Sequence, residues 1–159
     1  MTNQAIQLHW LWIDGSHGMR VELMDLLSDA DLDCNPGGQN MTLGALCREM
    51  GEIEHSYIQS FKTFKQDFSY RNPEPGLERS LSRLKAWYQA LDEEMKTVVS
   101  AFTDEDASKE IERPGGYKVP LDMQLEIYLQ ALLIFFGKAT IYLKALNKTL
   151  PAGFQEYIA

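Results

Sequence analysis

Histidine and cysteine are scarce in this chain, and positive charge is outnumbered. Its 159 residues hold three His and two Cys, with 15 Lys plus Arg against 23 Asp plus Glu, a formal net charge of −8. No Lys/Arg cluster offsets that charge, so neither nucleic acid nor an anionic membrane is expected as a partner. Cys34 and Cys47 lack CxxC spacing and a disulfide-rich context. They read as two reduced thiols of a cytoplasmic protein rather than a redox or zinc pair. Long apolar runs are missing too: the longest strongly apolar one, Ala131–Gly137, is too short to span a bilayer. The N-terminal "MTNQAIQLHWLWIDG" has no basic n-region, so no signal peptide is expected. No GxSxG, phosphate-binding loop, dinucleotide fingerprint or HExxH motif occurs.

What is present is helical periodicity between turn-rich breaks. "SDADLDCNPGGQN" (28–40), "SYRNPEPG" (69–76) and "ERPGGYKVP" (112–120) concentrate the residues that set turns. Four segments lie between them, about 5–27, 42–66, 77–102 and 121–147. In the third, Leu77, Leu81, Leu84, Tyr88, Leu91, Met95, Val98 and Phe102 recur every three or four residues, one buried stripe. The second repeats this with Leu43, Leu46, Met50, Ile53, Tyr57, Phe61 and Phe64, and Asn40 or Thr42 can cap it. The first places Leu8, Trp12, Met19, Leu23 and Leu26 inward, with Gly15, Ser16 and Gly18 weakening it midway. Four long amphipathic helices without a strong strand signal predict an all-α, antiparallel four-helix bundle, one domain over residues 1–159. A short hairpin is expected around Pro114-Gly115-Gly116, before the fourth helix. Phe154, Tyr157 and Ile158 of the tail either tuck against the bundle or fray.

The fourth segment is apolar on more than one side. Leu121, Leu125, Tyr128, Leu132, Phe135, Phe136, Ala139, Leu143 and Leu146 form a wide core face, and Ile127, Ile134 and Ile141 recur every seven residues on another arc. That arc needs a cover: the 103–119 connection, the tail, or a second copy. A homodimer through Ile127, Ile134 and Ile141 is the expectation.

Two blocks carry a resemblance to a known family: "MTLGALCREMGEIEHSYIQ" (41–59) and "LQALLIFFGKATIYLKALNKTLP" (129–151). They resemble the DinB/YfiT-like superfamily of four-helix proteins, many of them metal-dependent enzymes, and the likeness covers nearly the whole chain. Thr42, Leu43, Leu46, Glu52 and Glu54 hold the frame of the first block. Gly137, Tyr142, Leu143, Leu146, Leu150 and Pro151 hold that of the second. The three metal-binding histidines of the family pattern fall at Glu49, Ala131 and Phe135. Alanine and phenylalanine offer no lone pair, and one carboxylate cannot hold a transition metal alone. The resemblance therefore implies a family member without its metal site, and no cofactor is expected. The pocket of the family would be lined here by Glu49, Gln130, Ala131 and Phe135.

Other candidates are few. Glu52 and His55 match one half of a di-iron pattern that needs two, and read as a solvated pair. His9 and His17, two turns apart, read as histidines without a metal. Glu54 falls near an inner seam and needs a partner there. If the protein is an enzyme, Glu49, Glu54 and His9 are the residues to suspect as base or substrate anchor. Three functions compete: a metal-free binding or interaction module, a small-molecule transferase or hydrolase (thiol-dependent transferase type) with a remodelled pocket, and a carrier of a small apolar ligand.

Overall fold

The computed structural model describes residues 4–158, and the side chains of 6–156. The fold is all-α, with one small hairpin. Helix α1 spans Gln4–Asp25, α2 Leu43–Thr63, α3 Leu81–Ser100, α4 Leu121–Ala145 and the short α5 Ala152–Ile158; strands β1 Glu110–Glu112 and β2 Lys118–Pro120 precede α4. The four long helices pack side by side, α1 against α4 and α3, and α2 against α3 and α4.

Local chemistry sets the helix limits. Thr42 opens α2 by accepting the Ala45 N–H on its Oγ1 at 3.2 Å, a cap worth about 1 kcal/mol. Phe64 closes the same helix in the left-handed region, at φ 57°. Each stripe then meets its neighbour. Leu46, Met50, Ile58 and Phe61 of α2, Leu84, Leu91 and Met95 of α3, and Leu125, Leu132 and Leu143 of α4 are all buried. Full burial stabilises each such side chain by roughly 1.5–3 kcal/mol. Two glycines let α2 lie close to its neighbours. A Cβ at Gly44 would collide with the Glu78 carbonyl oxygen, and one at Gly51 with the Trp87 ring.

α1 differs from its expected orientation. Leu8, Trp12 and Leu26, expected inward, are exposed; Leu23 is buried as expected, and the inward meridian beside it carries Ile6, Ile13, His17, Arg20 and Met24. Two polar residues occupy the middle of the buried face, so a search for apolar side chains alone slides around the helix. α1 also runs through Gly15, Ser16 and Gly18 without a break; the Ser16 hydroxyl donates to the Trp12 carbonyl at 2.8 Å.

The hairpin pairs Ile111 with Val119 in antiparallel register, and Gly115 and Gly116 take positive φ in its turn. It clips onto the end of α2, where Gln66 N–H donates to the Glu112 carbonyl at 2.8 Å. Beneath it, the buried Gln124 donates to Ser60 and Gln66, and Arg113 donates to Gln124. Phe154 of α5 is buried edge-on against Phe136, ring centroids 5.1 Å apart; the side chains of Tyr157 and Ile158 lie outside the described residues. Hairpin and α5 thus cover parts of α4. Ile134 and Ile141 stay exposed at 61% and 59%, whereas Ile127 is half-buried against the core. By length and composition α4 could cross a membrane, but one side of it is the core just described.

Candidate functional site

The inward polar residues of α1 meet partners from all three other long helices. His17 and Arg20 are one turn apart and share a face. Tyr88 and Asp92 do the same on α3, while α2 supplies Glu54 and α4 supplies Tyr128. His17 Nδ1 lies 2.9 Å from Asp92 Oδ1, and its Nε2 lies 2.9 Å from the Tyr128 hydroxyl and 3.5 Å from Glu54 Oε1. Asp92 accepts from the Nδ1–H side of the ring, which leaves Nε2 facing the Tyr128 hydroxyl. Arg20 donates to Glu54 Oε2 at 2.5 Å and to Asp92 Oδ1, with its guanidinium 4.0 Å above the Tyr88 ring. The Tyr88 hydroxyl donates to the Cys47 carbonyl at 2.5 Å.

Electrostatics follow from depth. Burial raises the pKa of Glu54, in spite of Arg20 and His17 beside it. Asp92, only partly buried, feels the same burial cost, but the His17 hydrogen bond and the Arg20 charge outweigh it and hold its carboxyl below the ordinary value. Burial drives the hydroxyls of Tyr88 and Tyr128 well up, so both stay protonated donors. Arg20 remains a cation: burial works against its charge, and Glu54, Tyr128 and Asp92 more than restore it. Glu54 Oε1 and Arg20 Nε are buried without a hydrogen-bond partner among the described residues.

Donor atoms of His17, Glu54 and Asp92 lie within 4.8 Å of one another, a spacing that could hold a cation. The position is already served by one: Arg20 bonds both carboxylates, so a metal would have to displace a buried guanidinium. As built, the cluster is an ionic tie across the helices with an Asp92–His17–Tyr128 hydrogen-bond chain on its flank.

The residues singled out from sequence lie elsewhere, Glu54 excepted. Glu49, Ala131 and Phe135 come together on a groove of about 180 Å³ between α2 and α4, with Leu46, Ile134 and Lys138. Gln130 is exposed and does not line it. Among these residues only Glu49 and Lys138 are polar, so the metal implied by the family resemblance has a single carboxylate to hold it and does not fit. His9 is half-buried on α1, without a hydrogen bond to any other described residue. Glu52 and His55 do not form the expected solvated pair: Glu52 is buried and accepts from Arg48 and the Asn72 N–H, and His55 stacks on Tyr70 at 3.7 Å.

Two larger grooves flank α1. One, of about 660 Å³, runs between α1 and α3 with Arg20, Tyr88 and Asp92 along it and Met24, Leu81 and Lys85 beside them. The other, of about 680 Å³, lies between α1, α4 and α5 and is almost wholly apolar, edged by Leu11, Trp12, Met19, Leu133, Phe136 and Phe154. Sequence reading missed Arg20, Asp92 and Tyr128 as a group. Their one local signal is spacing, His17 to Arg20 and Tyr88 to Asp92 each placing a polar side chain on an otherwise apolar stripe. No family model matches the chain, and no curated protein matches it.

Proposed function

We propose that this chain is a DinB-like four-helix bundle that works, without a metal, as a cytoplasmic binding or interaction module. The observation that carries the reading is the groove at Glu49, Ala131 and Phe135, where three positions expected to hold metal donors offer one carboxylate between them. The His17–Glu54–Asp92 group supports it, because Arg20 already bonds both carboxylates. Exposed apolar side chains around α1 and α4 supply surface for an interaction, and the apolar groove between them supplies room for a small ligand. Elemental analysis of protein purified without chelators tests the proposal. Substoichiometric zinc, nickel and iron is the expected result. One equivalent of any of them, lost on Glu49→Gln or His17→Ala, overturns it.

One observation favours a second reading, a small-molecule transferase or hydrolase. Asp92, which holds His17, borders the open groove between α1 and α3, so a substrate there would touch a carboxylate backed by an imidazole. A thiol-conjugation and ester-hydrolysis screen in the presence of chelator decides between them. Turnover that falls at least tenfold in Asp92→Asn or Glu49→Gln supports the enzyme, and its absence across the screen supports the module.

A further inference from the structure

The outward face of α4 carries an apolar seam with a glycine at its centre. Leu133, Ile134 and Ile141 are more than half exposed, and Gly137 lies among them on the same arc. A Cβ at position 137 would meet nothing within 4 Å, as at Gly15 and Gly18 on α1, so no close contact within the chain fills the space beside it. Gly44 and Gly51, by contrast, are required by close neighbours within the chain. The missing side chain at 137 leaves space outward, and Leu11 and Trp12, 66% and 56% exposed, extend the apolar surface across the adjoining groove.

Charge supplies an independent observation. Glu126 and Lys144 lie about five turns apart, which returns to the same side of a helix, and both flank the Leu133–Gly137 seam. Neither takes part in an ion pair among the described residues, although most other basic side chains along the long helices do. Two opposite charges at the two ends of one seam are self-complementary under a two-fold axis.

We infer that the partner of the interaction module is a second copy of this chain, docked through an antiparallel pairing of α4 with α4 about an axis beside position 135. The inference rests on the interaction-module reading and supplies its partner. In that register, positions equally far before and behind 135 face each other. Leu133 inserts over the partner's Gly137, and Glu126 meets the partner's Lys144. The two-fold repeats each contact. Leu fills the space that Gly leaves, and the ion pairs close both ends of the seam. Ile134 and Ile141 border it, and Ile127, half-buried within its own chain, contributes little.

Sedimentation equilibrium of the full chain, with variants, tests the register. The wild type is expected at twice the monomer mass at micromolar concentration. Gly137→Leu should weaken association at least tenfold. Glu126→Lys and Lys144→Glu should each weaken it about five- to tenfold, by setting like charges opposite each other. The double variant Glu126→Lys/Lys144→Glu should return to within about twofold of wild type, a rescue that a folding defect would not produce. A monomeric wild type at tens of micromolar overturns the inference, as does a dimer indifferent to Gly137→Leu or a charge swap without rescue. Metal content, measured on the same sample, is independent: a metal-free monomer removes the partner and leaves the metal-free reading, whereas a metal-loaded dimer does the reverse.

Discussion

Arg20 and Glu54 face each other across the helical interior, with the guanidinium Nη1 2.5 Å from the carboxylate Oε2 and both side chains buried. The consecutive helices α1 and α2 are tied there by a charge pair that water does not screen.

Arg20→Met should therefore leave Glu54 and Asp92 in the interior without their cation, at a cost of about 3–5 kcal/mol. Urea unfolding at neutral pH measures it. A stranded buried carboxylate favours its neutral form, so the variant should regain stability as pH falls toward about 4.5. A deficit that is the same at both pH values would count against an electrostatic origin.

Asp92 and Glu54 should push the pH profile in opposite directions. The Asp92 carboxyl is held below its ordinary value of 3.8, so its contribution is present above that value and is lost as pH falls through the folded-state pKa. Glu54 is raised above 4.5; its contribution is complete below that value and is lost as pH rises through the folded-state pKa. Asp92→Asn should remove the Asp92 share of the acid-side loss, and the stability gap between wild type and variant should narrow below about pH 4. Thermal melts from neutral to acidic pH read this, and a constant gap would refute the assignment.

Close helix approach gives a steric prediction. A methyl at Gly44 runs into the Glu78 backbone, and overpacking of this kind costs about 1–3 kcal/mol. Gly18 is also helical, yet a Cβ there meets nothing, so Gly18→Ala should stabilise by up to about 1 kcal/mol. Equal effects of the two substitutions in denaturant unfolding would show that α2 does not lie as close to the 77–79 turn as described.

The two thiols should separate cleanly. Cys47 is buried, and burial pushes its pKa up to about 12, so no useful thiolate forms at neutral pH. Cys34 is half-buried in the loop after α1. A chromogenic disulfide reagent should titrate one thiol in the native protein, lost in Cys34→Ser, and two in denaturant. Two fast thiols in the native state would contradict the packing around Cys47.

How much was legible varied by helix, for a physical reason. The buried side of α3 is almost purely apolar, and α2, though it also buries Glu52, Glu54, Ser56 and Ser60, keeps an unbroken apolar row, so period 3.6 located Leu46, Met50, Leu84 and Met95 directly. On α1 the same reasoning chose Leu8 and Trp12, because hydrophobicity cannot register a buried His17 and Arg20. Glu54 was readable as a carboxylate on an inner seam. Its partners were not, since Arg20 and Asp92 each resemble a solvated helix charge when viewed alone.

The amino-acid order by itself determined roughly where helices lie, through Thr42 as a cap and the Pro/Gly-rich breaks, although α3 begins at Leu81 rather than Leu77 because Leu77–Arg79 forms a separate 3-10 turn, and it determined which faces of α2, α3 and α4 are greasy. Those are short-range properties, fixed by neighbours three or four residues away. Only the tertiary structure decided which charges are buried, that Arg20 serves two carboxylates from different helices, and that Gly137 faces open space. Such properties depend on distances between residues far apart in sequence, which no local pattern encodes.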